Sequence, residues 1–76
     1  MTTAQVLLDT VEKVKGFVNV VGPLEGDIDL GSDRYVVDAK SIMGIFSLDL
    51  TKPLKVTIHD EAAAERLMPL LKAYIV

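Results

Sequence analysis

The side chains that could do chemistry in this chain are few. One histidine, His59, closes the run Leu54-Lys55-Val56-Thr57-Ile58. A serine, Ser41, stands at the head of the stretch "KSIMGIFSLDL" over residues 40–50, where its hydroxyl can cap a short helix or accept a phosphate. The aspartates Asp27, Asp29, Asp33 and Asp38 recur close together. An imidazole can relay a proton or a phosphoryl group, and carboxylates can hold a hard cation. Neither set is arranged as a metal site. A lone histidine brings no companion ligands, and alternation along a hairpin turns Asp27 and Asp29 to solvent, a spacing suited to solubility and edge protection. No serine has a recognisable base beside it, so no catalytic residue, metal or cofactor is assigned, and the chain reads as non-enzymatic.

The absence of cysteine excludes thiol chemistry and a disulfide framework, in keeping with a reducing compartment. Net charge is −3, and the basic residues fall singly, at Lys13, Lys15, Arg34, Lys40, Lys52, Lys55, Arg66 and Lys72. Without a concentrated basic face, nucleic acid is not an expected partner. The opening "MTTAQVLLDTVEKVK" lacks the basic start and apolar run of a signal peptide, and nothing approaches the roughly 18 apolar residues of a membrane span. A cytoplasmic protein without a membrane partner is expected. At 76 residues the chain is one domain, 1–76, and with 50% hydrophobic residues it can build one core without staples.

Periodicity orders the elements that must position these residues. Ala4, Val6 and Leu8 would share one face of a strand over 4–8. Asp9 and Thr10 are both suitable caps for a helix whose stripe is Val11, Val14, Phe17, Val18 and Val21, ended by Gly22-Pro23 through the restriction that proline imposes on its predecessor. A β-hairpin is predicted over 26–39, with Ile28 and Leu30 alternating with Asp27 and Asp29, turn residues at "GSDR", then Tyr35-Val36-Val37. Ser41 caps a short helix bearing Ile42, Ile45, Phe46 and Leu48. Leu54, Val56 and Ile58 mark a fourth strand that leaves His59 on the opposite parity. The last helix opens with Asp60-Glu61 and buries Ala63, Leu67, Leu70, Leu71 and Tyr74, with Pro69 bending or restarting it. The order β-α-β-β-α-β-α, with strands apolar on one face only, predicts an α+β two-layer sandwich: a mainly antiparallel four-stranded sheet with three helices on one face.

The segment "KSIMGIFSLDL", preceded by a hairpin and followed by "KVTI" and a helix opening Asp-Glu, resembles the histidine-containing phosphocarrier protein (HPr) of the bacterial sugar phosphotransferase system. The resemblance is most specific over residues 40–48 and implies an open-faced β-sandwich. It also implies a histidine at the start of the first helix that takes phosphate from Enzyme I, followed two residues later by an arginine and then a proline. Here those places hold Thr10, Glu12 and Lys13. A threonine ester is a poor phosphoryl donor beside a phosphoramidate, and Asp9 and Glu12 would repel the phosphate that the family meets with a cation. The first loop also looks shorter than the family's. In some members the residue matching Ser41 is phosphorylated by a dedicated kinase, and the first two apolar residues after it, with the position of Phe46, touch partners.

The resemblance therefore implies a divergent, HPr-like regulatory or adaptor protein without histidine phosphotransfer. Ser41 is the candidate phosphorylation site. Ile42, Met43 and Phe46 are candidate contacts for HPr kinase, a catabolite regulator or phosphotransferase-system proteins. Against this stands the plain structural reading, in which Ser41 is only a cap and the apolar residues are core. A phosphocarrier using His59 and a self-associating subunit with an uncovered strand edge are the alternatives.

Overall fold

The computed structural model describes residues 1–76. Strand β1 spans Thr2–Val6, helix α1 Val11–Val21, β2 Ile28–Gly31, β3 Val36–Asp38, α2 Ile42–Phe46, β4 Leu54–Ile58 and α3 Glu61–Leu67, followed by a 3-10 turn at Met68–Leu71. The sheet is antiparallel throughout, in the order β1-β4-β2-β3. β4 and β2 are the inner strands: Leu54, Val56 and Ile58 of β4 and Ile28 and Leu30 of β2 all face the core, and β4 pairs with β1 on one side and β2 on the other. The helices bury their apolar stripes against that one face, so the architecture is the open-faced α+β sandwich expected from the alternation of the strands.

Every one of the 17 core residues is apolar and no polar side chain is buried. Chemistry or recognition therefore resides on the surface. Phe17 anchors the helical layer, its ring edge-to-face with Tyr74 at 6.2 Å between centroids.

Local signals place most boundaries. Thr10 Oγ1 accepts from the Lys13 amide at 3.1 Å, capping α1. Asp60 accepts from the amides of Ala62 and Ala63 and caps α3. Gly26, at φ +100, makes the turn into β2, a conformation that a Cβ would strain.

Several expectations are corrected. β1 begins two residues earlier than predicted, and Leu8 reaches the core from the loop beyond it. Gly22 keeps helical dihedrals despite preceding Pro23. It has no Cβ to meet the ring, so α1 ends through the donor that Pro23 lacks rather than through restriction of Gly22. Val11 is exposed at the first turn of α1. In the last helix the buried stripe is Ala63, Ala64, Leu67 and Leu71, leaving Leu70 on the exposed flank. Pro69 does restart the chain, as the 3-10 turn.

Candidate functional site

The surface around Ser41 is built by the turn that follows β3. Asp38 accepts the Lys40 amide on its carboxylate at 2.9 Å and the Ser41 amide on its carbonyl at 3.0 Å, so one residue sets the direction of the chain. Ala39 is buried inside that turn, and the Lys40 ammonium reaches the carbonyl of Leu24. Ser41 is in extended geometry, its Oγ accepting from the Gly44 amide at 3.1 Å and its carbonyl from Ile45 at 3.0 Å. Gly44 sits in a close approach: a Cβ there would meet Ser41 Oγ and Val37 Cβ, each at a tight 3.2 Å. Glycine thus lets α2 lie tightly on β3 while Ser41 caps it.

One turn of helix cannot bury four large side chains. Ile45 takes the core and Ile42 is half-buried, while Met43 is 78% exposed and Phe46 42%. α2 also packs against α1. Of the sequence-predicted residues, Ser41, Met43 and Phe46 are exposed, Ile42 is half-buried against the core, and Ile45 belongs to the interior.

At the start of α1, Asp9 and Lys13 form an i,i+4 ion pair at 3.0 Å. The hydrogen bond from Lys13 holds the Asp9 carboxyl below its ordinary value of 3.8. The cation nearest Thr10 in sequence is thus already engaged by a carboxylate, and the Thr10 oxygen is an acceptor within the cap.

His59 has a partner that its local sequence did not reveal. Its Nε2 lies 2.8 Å from Asp29 Oδ2, across the β2–β4 pairing, while its amide donates to the Asp27 carbonyl. Asp29 is consequently half-buried and engaged rather than simply solvated. The signal lies in register alone: Asp29 is opposite Thr57, two residues before His59. Strand direction also separates His59 from α1. Thr2 pairs with Ile58 and Val6 with Leu54, so His59 sits at the end of β4 where β1 starts, and α1 begins from the other end, about 13 Å away along the strand.

The strand order, the one-sided helical layer and the placement of a capping serine at α2 define an HPr-like fold. Among solved structures, the crystal structure of HPr-C-His from Thermoanaerobacter tengcongensis is similar at a TM-score of 0.76 and 24% identity, over 96% of this chain and 93% of that one. No protein-family model and no curated protein matches the sequence.

Proposed function

We propose that this is a non-enzymatic regulatory or adaptor protein built on the HPr-like fold, acting through Ser41 and the exposed side of α2, without a histidine phosphotransfer step. The observation that carries this reading is the juxtaposition of an accessible capping serine with the exposed side chains of Met43 and Phe46. A phosphate on Ser41 meets the free first amides of α2 and the positive end of its dipole, so modification is compatible with the local backbone. Met43, unbranched and polarizable, suits an adaptable contact with a protein partner such as HPr kinase or a catabolite regulator.

The absence of a phosphocarrier step is supported by chemistry at α1. Thr10 offers a hydroxyl where a phosphoramidate would be needed, beside the paired Asp9 and Lys13. His59, the alternative acceptor, is engaged by Asp29 at the opposite end of the sheet layer.

The test has two arms. Incubation with HPr kinase and ATP is expected to add one phosphate, absent from Ser41→Ala. Incubation with Enzyme I and phosphoenolpyruvate is expected to give no acid-labile label. Failure of the first arm removes the regulatory reading, and labelling in the second restores the phosphocarrier.

A further inference from the structure

The two edges of the sheet are not equivalent. Along β1, the C-terminal residues return to pair with the strand: Val76 donates to Gln5 at 3.2 Å, Leu7 donates to Tyr74 at 2.9 Å, and Val6 bridges Ile75. That edge is covered from Gln5 onward. β3 has no such cover, and two exposed residues of high strand preference stand at its start, Tyr35 just before it at 65% and Val36 within it at 70% exposure.

Hydrogen-bond alternation shows which groups β3 leaves free. Tyr35 accepts from Ser32 and Ala39 donates to Ile28, each at 2.9 Å, with Val37 opposite Leu30 between them. Those residues turn their backbone groups toward β2, so Val36 and Asp38 turn theirs outward. The Asp38 carbonyl is taken by Ser41. The Val36 N–H and C=O and the Asp38 N–H remain.

We propose that β3 is a self-association edge, pairing antiparallel with β3 of a second copy about a two-fold axis through Val36. In that register Val36 exchanges both hydrogen bonds with its counterpart, and Tyr35 lies opposite Val37. Arg34, in the exposed turn just before the paired residues and forming no ion pair within the chain, comes within side-chain reach of Asp38 of the second copy, and the reverse pair follows by symmetry. Charge selects this arrangement. Moving the axis to Val37 or Asp38 takes Asp38 away from Arg34, and centring it on Asp38 sets two carboxylates face to face. Two four-stranded sheets become one of eight strands, and the helical layers continue side by side. The paired strands are short, so the dimer is weak and reversible rather than obligate.

Sedimentation equilibrium from about 10 µM to about 1 mM, a span suited to a small interface, is expected to show a monomer–dimer equilibrium. Arg34→Glu, in an exposed turn, should weaken it by about tenfold or more, because both symmetric charge pairs become repulsive. Arg34→Lys should retain most of it. Val36→Pro removes an outward donor that β2 does not use and should also abolish pairing. If that variant fails to fold, Arg34→Glu still decides. Met43→Ser should have no effect on the equilibrium. A monomer throughout the range, a dimer indifferent to Arg34→Glu, or one dissolved by Met43→Ser overturns the proposal. None of these outcomes bears on whether Ser41 is modified.

Discussion

Replacing Ser41 by alanine isolates the group on which the proposed regulation depends. The substitution removes one acceptor, the Oγ that receives the Gly44 amide at 3.1 Å. Loss of a serine cap costs about 1 kcal/mol. With unfolding entropy of about 2.1 cal/mol/K per residue, a chain of 76 residues has a total of about 0.16 kcal/mol/K, so Tm should fall by about 6 °C. Ser41→Asp keeps an acceptor at the same place and adds a negative charge near the positive end of α2. It should stay within about 2 °C of the parent. Thermal unfolding followed by circular dichroism reads both, and the phosphorylated protein should track the aspartate variant. Two results refute the reasoning: an alanine variant as stable as the parent, or an aspartate variant as damaged as alanine. The first would mean that the cap bond carries no stability. The second would mean that negative charge here disrupts the fold, leaving Ser41 unsuited to act as a benign switch.

Met43→Ser should leave Tm within about 3 °C, since a mostly exposed side chain changes stability little, yet slow phosphorylation of Ser41 by HPr kinase. Unchanged kinetics would remove Met43 from the contact surface. Gly16→Ala tests how the C-terminus docks on α1. The added Cβ would collide with Tyr74 Oη, whereas Tyr74 Cζ lies at an ordinary 3.5 Å. Alanine should therefore gain about 1 kcal/mol of helix stability in a Tyr74→Phe background and far less in the parent, a difference that a double-mutant cycle measures. Asp9 titrates below its ordinary 3.8 because Lys13 hydrogen-bonds the ionised form. A depressed carboxyl pKa stabilises the fold above the unfolded value, and that contribution is lost as pH falls through the folded value. Lys13→Gln should move the Asp9 midpoint up toward 3.8, as read by NMR titration.

What could be read from the chain itself was local. The alternation of Leu54, Val56 and Ile58 announced a strand with one buried face, and Asp9-Thr10, Ser41 and the carboxylates of Asp60-Glu61 marked where helices start, because each device acts within four residues of its own position. The surface near Ser41 was legible for the same reason: five residues of helix can hide only part of "IMGIF". Burial of Ala64 in place of Leu70 was not, since the direction a helix turns depends on what it packs against. Three further features needed tertiary structure. Asp29 meets His59 because β4 inserts between β1 and β2, bringing together residues 30 apart. Gly16 faces Tyr74 because the chain returns over α1. The C-terminal residues cover β1 from Gln5 onward and leave β3 bare, so the strand order, rather than any pattern within a strand, determined which edge can meet a partner. Side-chain periodicity encodes a buried direction but carries no information about which distant segment arrives there, and that choice arises only when the whole core is assembled.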